Sequence, residues 1–333
     1  MKLSILDQSP ISSNQSAKDA LDTSLRLAQL GEELGFTRYW IAEHHDLKGL
    51  ACSAPEIMLA YIGANTNRIV IGSGAILLPH YKPYKVAELF NMLATLFPNR
   101  IDLGIGRAPG GSAEATSALS DQFLQQVWKM PELVKELLHF IKINVQQNFQ
   151  FNDVTAAPIP AVPPTPWLLG TSKKSAELAA ITGIPYVFGQ FMSDKDGPSI
   201  VRNYRENFKP SPYFDKPKVI VTVSVICSET LEAAEDIAIS TLVGSLLREK
   251  GSQETSVPSI EDAKQYSFTD QEKQKLKDMK KNIIIGDPND VKRELDNIQT
   301  LYEADEIMIV TITYSPDDKF RSYQLIAEKI IDI

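Results

Sequence analysis

The chain has 333 residues, 43% of them hydrophobic and 23% charged, which excludes overall disorder and leaves ample apolar surface for a large core. A net charge of -8 repels phosphate backbones, and no Lys/Arg stripe with interleaved aromatics offsets it, so nucleic acid is excluded as a partner. No run of eighteen apolar residues occurs, and Met1–Asp7 turns polar too soon for a secretory segment, so a cytoplasmic protein without membrane contact is expected.

In chain order, short β-branched apolar runs alternate with longer segments of helical period, the pattern of βαβ units on a parallel sheet. Leu3–Leu6, Tyr39–Ala42, Ile69–Gly72, Ile101–Ile105, Trp167–Leu169, Tyr186–Phe188, Val219–Ile226 and Ile307–Thr311 read as eight strands. Between them lie amphipathic helices, with apolar residues such as Val86, Phe90, Leu93 and Phe97, or Val291, Leu295, Ile298 and Tyr302, on one face. A doubly wound open sheet gives nearly the same pattern. The first strand runs into Gln8-Ser9-Pro10 instead of a glycine-rich turn, which favours a single (β/α)8 TIM barrel spanning 1–333. Two insertions break the rhythm: Ala113–Asn148 with the proline-rich Pro158–Pro166 after strand four, and the polar Gly251–Lys281 before the last helices. Insertions of this length serve as lids or binding loops or are disordered, and for the second the family resemblance set out below implies a mobile lid. Cys52 and Cys227, far apart and with no C-x-x-C or Cys/His cluster, read as small buried hydrophobes, and no metal site is expected.

Active sites of α/β barrels lie at the C-terminal ends of the strands. After the second predicted strand come Glu43, His44 and His45, a carboxylate and two of the chain's four histidines; an imidazole titrates near neutrality and suits general acid–base work. After the third comes Gly72-Ser73-Gly74-Ala75, where glycines let a flat ligand approach the main chain. After the fourth, Arg107 sits inside a glycine-rich loop, placed to clamp a phosphate. Gly170-Thr171-Ser172 with Ser175 leads into a helix whose free N–H groups form a second anion-binding element. Two phosphate-binding elements at neighbouring strand ends point to one phosphorylated cofactor. Tyr81, Tyr84, Phe188, Phe191 and Met192 are further candidates to line an aromatic pocket.

The ordered series Leu3–Pro10, Gly35-Phe36, Glu43-His44-His45, Gly72–Pro79, Asn99–Asp102, Gly104–Gly110 and Gly286-Asp287-Pro288 resembles the bacterial-luciferase-like monooxygenases nearly end to end. The resemblance implies a barrel that binds reduced FMN, supplied by a separate flavin reductase, and transfers one atom of molecular oxygen to a small organic substrate. It implies a cis peptide at Gly74-Ala75 supporting the flavin ring, with Ser73 beside it. Arg107, Gly170, Thr171, Ser172 and Ser175 are implied to hold the phosphate. His44 is implied as the catalytic histidine, with His45 and Glu43 beside it, and a homodimer as the assembly. Gly106 stands where light-emitting members carry a reactive cysteine, so light emission is not expected. Thr171 stands where the family has an acidic residue. A deazaflavin-dependent hydride-transfer enzyme on the same barrel, and a non-catalytic flavin-binding paralogue, are the competing readings.

Overall fold

The computed structural model describes residues 1–143, 150–250 and 256–331. Its strands are β1 (Leu3–Asp7), β2 (Arg38–Ile41), β3 (Val70–Ser73), β4 (Ile76–Leu77), β5 (Ile101–Gly106), β6 (Thr165–Gly170), β7 (Tyr186–Gly189), β8 (Val219–Cys227), β9 (Ile283–Gly286) and β10 (Glu306–Val310). Pairing runs parallel from β10 through β1, β2, β3, β5, β6 and β7 to β8. The circle closes where Glu306–Val310 pairs with Ile220–Ser224. These eight strands form the (β/α)8 barrel expected from the alternating pattern.

Two short strands lie outside that expectation. The two-residue β4 pairs with Ile105 and Gly106. The isoleucine run of β9 joins Ser224–Cys227, extending the sheet where the register with β10 stops.

Apolar residues fill both sides of the strands, which is why the runs read as continuous instead of alternating. Outside the barrel, Ile5, Ile71, Leu103, Val221 and Ile309 meet the helices. Inside it, Leu6, Trp40, Ala42, Trp167, Val187, Ile220, Met308 and Val310 form a second core. Toward the N-terminal ends of the strands the interior is polar. Asp102 there accepts the indole N–H of Trp40 at 2.9 Å and of Trp167 at 3.2 Å, and Arg38 bridges Asp102 to Glu306. That network closes the end of the barrel opposite the candidate site.

The helices follow their sequence signals. Val86, Phe90 and Leu93 are buried along Pro83–Leu96, and Val291, Leu295 and Tyr302 along Pro288–Tyr302. Ser16 and Asp19 form a reciprocal capping box at the start of Ala17–Glu33. The first insertion carries three helices, Ala113–Leu119, Phe123–Trp128 and Met130–Phe140; residues 144–149, part of its expected span, lie outside the described ones. Of the second insertion, 251–255 are likewise outside. The rest contains helices Ile260–Gln265 and Asp270–Lys280. Ion pairs from Lys264 to Asp236 (2.8 Å) and Lys280 to Glu235 (2.6 Å) tie it to helix Leu231–Glu249. Among the described residues no helix is long and apolar enough to cross a membrane. Cys52 and Cys227 are both buried and unpaired with each other.

Candidate active site

A cavity of about 390 Å³ opens among the C-terminal ends of the strands, within the roughly 300–1,000 Å³ common for ligand sites. Of the residues singled out from sequence, Glu43, His44, Gly74, Ala75, Arg107, Gly170 and Thr171 line it. Ser73, His45, Ser172 and Ser175 stand behind that wall, and each holds a neighbour in place.

The loop after β2 delivers His44 and Glu43. The carboxylate of Glu43 is buried and fully engaged: Oε1 accepts from the Tyr81 hydroxyl at 2.6 Å and pairs with His45 Nε2 at 2.7 Å, while Oε2 accepts the Leu77 amide at 2.9 Å. Burial, then the charge of Glu43, drives the Tyr81 phenol well above its ordinary range. The His45 amide donates to Gly110 O at 2.8 Å. Gly110 has φ 72°, a left-handed conformation open to glycine at no steric cost. Glu43 and His45 thus knit the β2 loop to the β3–β4 segment and to the loop after β5, leaving His44 as the member of the trio with a free hand.

The His44 imidazole lines the cavity, and its Nδ1 is buried without a hydrogen-bond partner. Burial, aided by His45 and Arg248, lowers its pKa to about 4. At neutral pH the ring is therefore uncharged and carries one proton, able to donate from one nitrogen and accept at the other.

The Gly74–Ala75 peptide is cis and forms part of the cavity wall. Its neighbour Ser73 donates to Gly104 O at 2.9 Å. Strands β3 and β5 come so close here that a Cβ on Gly104 would lie 2.0 Å from Ser73 O.

Across the cavity, Arg107 is exposed and donates to Ser172 Oγ at 3.1 Å. Ser172 caps helix Lys173–Thr182 in a box with Ser175. The amides of Lys173 and Lys174 have no intrahelical acceptor at that end, so guanidinium and helix terminus converge on one anion position. Ser175 Oγ is taken up inside the protein, donating to Ser172 O at 2.7 Å and lying 3.1 Å from the Tyr186 hydroxyl. It also borders a second cavity of about 420 Å³ that shares Arg107 and Leu169 with the first.

Phe191 and Met192 line the main cavity as expected from sequence, whereas Tyr81 and Tyr84 face a different hollow and Phe188 is wholly in the core. Sequence reasoning passed over Leu6, Gln8, Val187 and Thr222, which also line it. The strand-end rule would have found Gln8, the first residue after β1. Thr222 lies inside the β8 apolar run and gave no signal.

The family model for luciferase-like monooxygenases matches residues 1–303. An uncharacterised protein of Bacillus subtilis, YceB, is 42% identical over 98% of both chains. The N-acetyl-S-alkylcysteine monooxygenase of the same organism is 34% identical over 99% of this chain and 98% of its own. Among solved structures, apo-MsnO8 superposes with a TM-score of 0.87 at 31% identity, covering 98% of both chains.

Proposed function

Since the chain belongs to the luciferase-like monooxygenase family, we propose that it is a monooxygenase that uses reduced FMN and molecular oxygen on a small organic substrate. One observation carries this reading: an uncharged histidine, a main-chain wall at Gly74–Ala75 and an arginine–helix anion position all border one cavity.

The residues fit a flavin mononucleotide. Leu6, Ala75, Leu169 and Val187 give apolar walls for a flat ring system, and Arg107, Thr171, Ser172 and the first turn of helix Lys173–Thr182 would hold the phosphate. When bound, reduced flavin supplies two electrons to oxygen, one atom of which goes to the substrate and the other to water. The protein's share is positioning and protection: Glu43 and His45 hold the loop, and neutral His44 passes or accepts a proton without placing a fixed charge beside the reacting atoms. The apolar wall keeps water out.

A thioether such as an N-acetyl-S-alkylcysteine is the first substrate class to try. The relative acting on that class supports it, as does a cavity that pairs apolar walls with Gln8 and Thr222. Reduced flavin would come from a separate reductase, because the sequence carries no second dinucleotide fingerprint. Exposed Ile57 and Tyr61 on helix Pro55–Ala64 and Met92 and Leu96 on the adjoining Pro83–Leu96 support a homodimer. For the lid assigned to 251–281, of which 256–281 are described, the supporting contact is the Val257 amide, which donates to Ile11 O on the loop that follows Gln8.

The test is anaerobic titration with photoreduced FMN, then rapid mixing with oxygenated buffer. Tight binding followed by delayed return of the oxidised-flavin absorbance, with the delay shortened in His44→Ala, is the expected result. Binding of a reduced deazaflavin in place of FMN would move the protein to hydride transfer. Tight FMN binding with immediate reoxidation, unchanged in His44→Ala, would leave a carrier.

A further inference from the structure

The Asp7-Gln8-Ser9 segment is unusual in how completely its carboxylate is engaged. Asp7 ends β1 and is buried, yet it gathers four donors from four places: the Ser9 amide at 3.1 Å, the Ser24 hydroxyl at 2.6 Å, the Tyr39 hydroxyl at 2.8 Å, and the ammonium of Lys319 at 3.5 Å. Lys319, from helix Pro316–Ile330, is equally buried. Burial pushes the Asp7 carboxyl up, but Lys319, Ser24, Tyr39 and Ser9 outweigh it and hold the group below its ordinary value. A buried ion pair adds little stability over an apolar replacement, so a carboxylate engaged this completely points to a role in specifying geometry.

The hydrogen bonds that leave this cluster lead to one place. The main-chain oxygen of Asp7 accepts the Ala42 amide at 2.9 Å, just before Glu43 and His44. Its side chain holds Ser9 at φ 50°. In that turn the Ser9 carbonyl accepts the Ala51 amide at 2.9 Å, and the adjoining Cys52 carbonyl accepts the His44 amide at 3.0 Å. We propose that Asp7, with Lys319, Ser24 and Tyr39, is a positioning unit that clamps both ends of the 43–52 loop and so fixes the His44 imidazole in its water-poor place on the cavity wall. The unit also pins the backbone on either side of Gln8, the carboxamide that shares the cavity. This deepens the role given to His44 above, but its test reads the imidazole directly and stands apart from catalysis or flavin binding.

The experiment is a titration of the full chain with labelled histidine, followed by NMR, the His44 signal being assigned from its loss in His44→Gln. Asp7→Asn combined with Lys319→Met removes both buried charges together. The clamp predicts that the His44 midpoint climbs from about 4 by one pH unit or more as the loop loosens and water reaches the ring. A midpoint unchanged from the parent, with only a lower unfolding temperature, overturns the proposal and leaves the cluster a plain stabilising element. Should the double variant not fold, Tyr39→Phe, which removes one donor and no charge, is expected to shift the midpoint the same way by a smaller amount. An unmoved midpoint there overturns the proposal equally.

Discussion

Replacing Glu43 separates holding the site together from reacting within it. Its carboxylate serves three partners: Tyr81, His45 and the main-chain amide of Leu77. Glu43→Ala strands all three. A buried donor left without an acceptor costs ~1–3 kcal/mol. The Leu77 amide is buried with its residue, while Tyr81 is only partly so and can regain water, so the total comes to about 3–5 kcal/mol. Glu43→Gln keeps the shape and an acceptor for Leu77, while its NH2 can donate to Tyr81 and to His45 in the other tautomer. It gives up charge-assisted bonds for neutral ones at ~1–2 kcal/mol. Equilibrium urea unfolding of the two variants beside the parent reads the difference directly. Equal losses, or an alanine variant within about 1 kcal/mol of the parent, would falsify the tie proposed for this carboxylate.

Other expectations follow from the same geometry. His44 has its folded-state pKa lowered to about 4 from 6.5, so the unfolded chain binds its proton first. The stability contribution is fully present above pH 6.5 and is lost as pH falls toward 4, by up to ~3 kcal/mol; unfolding in His44→Gln should lose that part of its acid sensitivity. Arg107→Ala should weaken reduced FMN by roughly tenfold, the lower end for an exposed charge-assisted bond, and leave reduced riboflavin unchanged in the same anaerobic titration. Equal losses for the two ligands would remove Arg107 from the phosphate site. Gly104→Ala, with its Cβ 2.0 Å from Ser73 O, should push β3 from β5 and lower stability by ~1–3 kcal/mol or more, measured by urea unfolding.

The barrel was legible because its strands are buried on both faces and its helices keep a strict apolar stripe. β9 was hidden because Ile283-Ile284-Ile285 follows a charged helix and is only three isoleucines long, too short to stand out beside the strong period starting at Val291. At the site, strand-end position picked out His44 and Arg107 because both project from loops directly after β2 and β5. It did not distinguish His44 from Glu43 and His45, whose side chains turn away to bind Leu77, Tyr81 and one another. Likewise, the direction of the Ser175 hydroxyl, toward Tyr186 and the Ser172 carbonyl, is not written in the local sequence. Side-chain direction over one or two residues is set by long-range partners, and no local pattern encodes them. The Asp7 cluster was illegible for the same reason, since Lys319 lies at the far end of the chain.

A crystal structure of the protein soaked anaerobically with reduced FMN tests the central claim most directly. The flavin ring is expected against Gly74–Ala75 with His44 facing it, and the phosphate between Arg107, Ser172 and the first turn of helix Lys173–Thr182. A phosphate bound elsewhere, or a ring that leaves His44 out of contact, would contradict it.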